Sequence, residues 1–308
     1  MPTLPHFLKL SKEVAAARKT GKPLVALEST VVTHGLAQGV NLELARAMED
    51  IVRAAGSVPA TIAVLDGRLC VGLEAAELDR LATDPNVRKL STRDLAPALI
   101  DKASGGTTVA ATLRVAALAG IRVFATGGIG GVHRGSGWDI SADLLELARQ
   151  PVLLVCAGAK AILDLPATLE HFETLGVPVL GYRTDEFPAF YSIESGLPVS
   201  ARVDSPNAAG ALARAHWELG GGGLLLAAPP PAESALLKIE VDAWIAQALV
   251  EAEAQSIHGQ AVSPYLLSRV SELSGGKSMA ANLALLKNNA QIAAQVAKFL
   301  GSPIVKNA

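Results

Sequence analysis

The chain has almost no excess charge: 27 Lys and Arg stand against 29 Asp and Glu, a formal net charge of −2. That balance excludes bulk attraction to nucleic acid or an anionic membrane, so any anion must be held by charges placed locally. Aromatic residues are scarce at 4% while apolar residues reach 50%, which leaves Ala, Val, Leu and Ile to fill the core. The only cysteines are Cys70 and Cys156, each inside an apolar run. They exclude a disulfide-built scaffold and read as small buried hydrophobes in a reducing compartment. No stretch reaches the roughly 18 uninterrupted apolar residues of a membrane helix. The N-terminus, with Pro2, Pro5 and His6 before Lys9, lacks the apolar segment of a signal peptide. A soluble, cytoplasmic protein is expected.

What the sequence does contain is a repeated theme over 308 residues, a length that buries about 75% of the unfolded surface. Short apolar runs at 24–27, 58–65, 121–126, 152–157, 177–181 and 223–227 are bounded by Gly or Pro and separated by helical patterns. This is the mark of buried strands alternating with covering helices. Asn41 is placed to cap a helix whose apolar positions Leu44, Ala45, Met48, Ile51, Val52 and Ala55 stop at Gly56. Asp66-Gly67 between two apolar strands predicts a two-residue hairpin, so the sheet is expected to be mixed. After Gly210 the texture changes, with Gly220 to Gly223, Pro229 to Pro231 and three Ala-rich helical patterns at about 233–255, 263–274 and 278–299. These helices form either a second domain or a cover on the same sheet. Without a charged or Ser-rich linker the reading is one domain over 1–308, with 1–20 as an N-terminal extension or helix and 233–299 as its helical C-terminal part. The fold expected is a three-layer α/β/α sandwich around a mixed, mostly parallel sheet, covered by C-terminal helices.

Ligands of open sheets bind beyond the carboxyl ends of the strands, so polar residues directly after apolar runs are the places to search. Glu28 ends the run Leu24 to Leu27. Partly desolvated, its carboxyl can act as a general acid near neutrality, unless backbone donors or a salt bridge satisfy it. After 121–126 comes Thr126-Gly127-Gly128-Ile129-Gly130-Gly131-Val132-His133-Arg134-Gly135, followed by Asp139, Ser141 and Asp143. Glycines let backbone amides approach a ligand, His133 and Arg134 add hydrogen bonds and charge, and the aspartates add hard oxygen ligands. Ser141 alternatively caps a helix over 142–149. Lys160 follows the most hydrophobic run within Cys156-Ala157-Gly158-Ala159-Lys160. An amine desolvated there becomes a nucleophile, where an ordinary lysine would snorkel to solvent. Gly105-Gly106-Thr107-Thr108-Val109 opens a helical pattern to Ala119, offering amides and hydroxyls to a phosphate that Lys89 would neutralise, or simply capping the helix.

Gly275-Gly276-Lys277-Ser278 ends like a phosphate-binding loop, but its leading glycine would fall at Ser271 and helix rather than strand precedes it. It reads as a helix end and restart. In the helix that follows, Asn282, Asn288 and Asn289 sit among apolar residues, and a buried carboxamide needs a partner, either a substrate amide or loop carbonyls.

At these segments the chain resembles the pseudouridine-5'-phosphate glycosidase family, which includes the indigoidine synthase A-like proteins. The stretches that carry the resemblance are Ala26 to Thr30 with His34-Gly35, Val58 to Ala63, Gly106 to Ala110, Phe124 to Arg134, Asp139 to Leu144, Val155 to Lys160 with Leu163 to Leu165, and Gly181-Tyr182 with Phe187 to Phe190. They lie within about residues 20 to 299.

The resemblance implies cleavage of the carbon–carbon glycosidic bond of pseudouridine 5'-phosphate to uracil and ribose 5-phosphate, or its reversal, by a glycosidase classed with the lyases. It implies Lys160 as the nucleophile in a Schiff-base-type adduct at C1' and Glu28 as proton donor. Asp139 matches a metal-site aspartate, usually for manganese and largely through water. Lys89, Thr108, Val109, Ser141, Ala142 and Asp143 match substrate-binding segments, with His133 and Asn282 as further contacts. A homotrimer and a separate pseudouridine kinase in the same catabolic pathway are expected. Two departures stand out. The stretch between Arg134 and Asp139, with Ser136-Gly137-Trp138, is shorter than in the family, and Ala228 precedes Pro229 where an Asn is common. Rival readings are a related C-glycoside phosphate or pigment-biosynthesis role, or a non-catalytic sugar-phosphate sensor.

Overall fold

The computed structural model describes residues 5–135, 138–257 and 262–301, with the side chain of Ser263 outside that description. Among the described residues eleven strands form one mixed sheet. Its parallel part runs β3 (Val58–Leu65), β2 (Leu24–Leu27), β7 (Val123–Ala125), β8 (Leu153–Cys156), β11 (Leu224–Ala227), β9 (Val179–Tyr182) and β10 (Ala201–Val203). The apolar runs became these strands because both faces of the sheet are covered: every residue of β3, β7, β8, β9 and β11 is buried. The run at 121–126 yields a shorter strand, Val123–Ala125.

β3 belongs to two pairings at once. Val58 to Thr61 pair parallel with β2, whereas Ile62 to Leu65 pair antiparallel with β4 (Arg68–Val71). On the β2 side, Ala63 and Val64 pair antiparallel with β6 (Gly105–Thr107). β6 therefore takes over the edge of β3 where β2 leaves it, which turns Glu28 and Ser29 out of the sheet. The Ser29 hydroxyl seals that junction, donating to the Ile62 carbonyl at 2.6 Å and accepting the Thr107 amide at 2.9 Å. β1 (Leu8–Leu10) lies parallel to β4, and β5 (Arg88–Leu90) parallel to β6. The β3–β4 hairpin turns at Asp66 and Gly67, with φ of 49° and 74°, the positive values a two-residue hairpin turn requires.

Helices cover both faces. α11 (Lys277–Gly301) packs on β2, β7 and β8 beside α2 (Val40–Ala54) and α8 (Pro206–Glu218). On the other side α5 (Val109–Leu118) packs on β2 and β3 beside α6 (Ala142–Arg149). α9 (Lys238–Ala254) starts later than its helical pattern, and α10 (Val262–Leu273) ends before the Gly275-Gly276 turn, after which α11 restarts. That turn is a helix terminus and restart. Cys70 and Cys156 are buried and free. No helix among the described residues is long and apolar enough to cross a membrane.

One element start differs from the sequence reading. α2 begins at Val40 behind Gly39, so Asn41 lies inside its first turn rather than at the cap. Its side chain donates instead to the carbonyls of Val32 at 2.7 Å and Ala82 at 3.1 Å, tying the π-helix Val31–Gly35 to α3 (Ala75–Thr83). A buried amide that can satisfy two carbonyls of other elements is more useful there than at a cap open to water.

Candidate active site

β2 leads outward to β3 on one side, and its neighbour β7 leads to β8 on the other. A crevice opens at the carboxyl ends of strands where the winding reverses in this way. Glu28, the residue after β2, and Lys160, in the turn after β8, both line it. Thr30, Thr126, Gly127, Gly128 and Phe190 join them, as do Asn282 and Leu286 from α11.

Parallel register sets the first contact. Leu27 pairs with Ala125, so Glu28 and Thr126 emerge side by side and the Thr126 hydroxyl bonds Oε1 of Glu28. Thr126 is itself held by its amide on the Val155 carbonyl at 3.0 Å and by Asn289 Nδ2 on its own carbonyl at 2.8 Å. Burial raises the pKa of Glu28. The charge of Lys160, the Thr126 bond and Lys89 pull it down, while Asp143 pushes it further up. The net result is an acid that keeps its proton above the usual carboxylate range.

Lys160 is aimed by its backbone. Its amide donates to the Ile129 carbonyl at 3.1 Å, and Ile129 in turn donates to Gly158 O at 3.0 Å. Gly158 has φ +83°, and a Cβ there would lie 2.4 Å from the Pro188 carbonyl oxygen. The turn can therefore approach the 187–190 segment only with glycine. Although Lys89 retains exposed surface, partial desolvation first and the charge of Lys160 second hold its amine below the usual lysine range.

Other expected residues are placed differently. Asp143 is buried and both its oxygens are committed, Oδ1 accepting from Ala110 N at 2.8 Å and Oδ2 from Gly130 N at 2.9 Å. It ties the glycine loop to the start of α5. Ser141 caps α6 through the Asp143 amide and Thr108 caps α5 through Ala111, so Ala142 and Val109 are the first residues of those helices. The anion cradle expected at 105–107 is instead strand β6, with the Thr107 hydroxyl donated inward to the Ile62 carbonyl. Two amides of the 127–131 loop are also drawn inward, Ile129 to Gly158 and Gly130 to Asp143. Arg134 points to the carbonyls of Leu163 and Ala161, both at 3.2 Å, and braces the turn that holds Lys160. Asn288 and Asn289 donate to loop carbonyls, at Pro229 and at Thr126.

His133 and Asp139 face each other, with the His133 amide on the Asp139 carbonyl at 2.9 Å and Nδ1 4.0 Å from Oδ2. The Asp139 side chain is 57% exposed, and no group of three His, Cys, Asp or Glu side chains converges on a metal position among the described residues. One open carboxylate fits a divalent cation that keeps most of its water shell, not a closed protein cage. Ser136 and Gly137, in the stretch expected to be shorter than in the family, lie outside the described residues.

Thr126 entered the sequence reading only as the start of the glycine-rich segment and Phe190 only within a family stretch, neither with a role. Thr126 carried a signal, because it is the polar end of the run 121–126 just as Glu28 follows the run 24–27. Phe190 lies against Gly128, whose added Cβ would meet its ring at 2.5 Å, a contact with no sequence signal beyond an aromatic in an aromatic-poor chain.

An acid and an amine converging at the strand reversal of an open α/β sheet define the class: a strand-end acid–lysine site of the enzyme type. Residues 13–299 match the model of the indigoidine synthase A like protein family. Curated relatives named pseudouridine-5'-phosphate glycosidase include one from Methylobacterium nodulans, 55% identical over 96% of this chain and 88% of its own length. Another, from Herpetosiphon aurantiacus, is 56% identical over 94% and 97%. Among solved structures, the prealnumycin C-glycosynthase AlnA in complex with ribulose 5-phosphate superposes with a TM-score of 0.90 at 41% identity, covering 96% of this chain and 98% of its own. An indigoidine synthase A-like protein from Thermotoga maritima gives 0.88 at 32% identity, over 98% and 100%. The chain belongs to the indigoidine synthase A-like family.

Proposed function

We propose that this chain cleaves the carbon–carbon glycosidic bond of pseudouridine 5'-phosphate, giving uracil and ribose 5-phosphate, in a reversible reaction. The observation that carries the reading is the convergence of Glu28 and Lys160 in one crevice, with the acid's pKa raised by burial. The names of relatives above 50% identity support the substrate.

The neutral Lys160 amine adds to C1' of the sugar as the C1'–O4' bond breaks with its electron pair going to O4', which takes the proton that the nitrogen loses. The bond from C1' to the uracil carbon then breaks. Its electron pair goes to that carbon, which takes the proton of Glu28, while nitrogen's lone pair forms the iminium at C1'. Water hydrolyses the iminium, releasing ribose 5-phosphate and the free amine. A carbon leaving group has no lone pair to protonate, so a buried acid and an electron-accepting adduct are both needed. Lys89 serves the phosphate, and Asn282 the uracil amide. Asp139 would hold a divalent cation such as manganese, which would supply positive charge to a phosphorylated substrate. The reading extends to a homotrimer in the cytoplasm, acting in pseudouridine catabolism with a separate kinase that makes the substrate.

The test is trapping. Incubation with pseudouridine 5'-phosphate and borohydride, followed by peptide mapping, is expected to place the reduced adduct on Lys160. An adduct on another residue, or none while uracil is still released, overturns the assignment. Lys160→Ala is expected to abolish uracil release while retaining ribose 5-phosphate binding, and unchanged release rejects the mechanism.

A further inference from the structure

We propose that Thr126 is a positioning residue for this reaction: its hydroxyl, donated to Oε1 of Glu28, leaves the transferable proton on Oε2 and stabilises the carboxylate that remains once uracil has taken that proton. The inference rests on the reading of Glu28 as the acid.

The geometry is set by the sheet rather than by a mobile loop. The pairing of Leu27 with Ala125 brings residues 28 and 126 out on adjacent strands. Thr126 is completely buried, with its amide and carbonyl both bonded, and its β-branched side chain has few rotamers to choose from. A hydroxyl owns one hydrogen. With that hydrogen spent on Oε1, the neutral acid carries its proton on Oε2.

The charged groups that act on Glu28 come from three other elements: Lys160 after β8, Lys89 on β5 and Asp143 on α6. They act whether or not the proton has a defined location. The hydroxyl adds no charge, yet its bond becomes charge-assisted when Glu28 ionises, and such bonds are roughly twice as strong as neutral ones. An interaction that strengthens as the proton leaves accelerates the step instead of merely binding the substrate. Burial alone would keep the proton on Glu28 but make it a poor donor, and Thr126 opposes that excess. Asn289, bonded to the carbonyls of Thr126 and Gly127 at 2.8 and 3.4 Å, fixes the strand end from behind.

The experiment compares Thr126→Val, which keeps the shape, and Thr126→Ser, which keeps the hydroxyl, in the full chain. In the ligand-free protein, the infrared carboxyl band of Glu28, identified by its loss in Glu28→Gln, should titrate at higher pH in Thr126→Val and near the parent position in Thr126→Ser. For uracil release, Thr126→Val should lower kcat about 10- to 100-fold with little change in KM. Its alkaline limb should move upward, and Thr126→Ser should restore both. Should Thr126→Val fail to fold, Thr126→Ala supplies the same comparison. A folded hydroxyl-free variant with the parent titration and parent kcat, or a serine variant no better than valine, overturns the proposal. If the titration moves as expected while the parent chain releases no uracil, the hold of Thr126 on Glu28 stands and the proposed reaction falls.

Discussion

Glu28 is governed by opposing influences that only its surroundings reveal. Burial, the largest, raises its pKa, and Asp143 adds to the rise, while Lys160, Thr126 and Lys89 work against it. Because the folded-state pKa lies above the unfolded one, the neutral side chain's contribution to stability is complete below the ordinary glutamate range. It is lost as pH climbs from there through the raised value. In the proposed mechanism the same climb removes the proton that Glu28 would deliver to uracil. Glu28→Gln is therefore expected to cut kcat by at least about 100-fold, and its residual rate should lack the parent's alkaline limb. Its melting temperature relative to the parent should rise with pH across that window. A parent-like pH–rate profile in Glu28→Gln would reject the role of this carboxyl. The identity of Glu28 as a strand-end acid was legible from Leu24 to Leu27 before it. The partners that tune it were not, since they come from residues 89, 126, 143 and 160.

At the scale of elements, the turn from β8 to α7 (Leu165–Thr174) carries the amine, and it is built to closer tolerance than its small residues suggest. Gly158 combines φ +83° with a Cβ position 2.4 Å from the Pro188 oxygen, and it accepts the amide of Ile129. Gly158→Ala should cost about 2 kcal/mol of stability and displace Lys160. Differential scanning calorimetry and uracil-release rates on the same preparation check both effects, and a fully active, equally stable variant would show that the turn tolerates a side chain. The strands and most helices followed from period and from their bounding glycines and prolines. Asn41 shows where such reading stops: cap chemistry suits it, but the carbonyls of Val32 and Ala82 claimed it. The segment 105–107 makes the same point, since a Gly-Gly-Thr stretch that looks like a phosphate cradle is a strand because β3 offers it an open edge.

For the molecule as a whole, a net charge of −2 leaves anion binding to local arrangement, and Lys89 and Lys160 are brought near enough for each to bear on Glu28. A phosphorylated substrate drawn to such a focus should feel salt. Raising ionic strength from about 0.05 to about 0.5 M shortens the Debye length to a few ångströms. KM should then rise severalfold, with kcat nearly constant. A KM indifferent to salt would mean that the crevice holds its substrate without these charges.

By itself the sequence determined the layered α/β class, the alternation of strand and helix, the hairpin at Asp66-Gly67 and the strand-end positions of Glu28 and Lys160. Those follow from local periodicity and from residue types whose conformational and chemical preferences operate over a few positions. Only the tertiary structure decided which strand ends share a crevice. It also gave Thr126 to Glu28 as a hydrogen-bond partner and set Asp143 and Arg134 against the loops they brace. Strand order and register are long-range properties, set by how buried faces and backbone hydrogen bonds are satisfied across the whole sheet, and no window of the chain contains them.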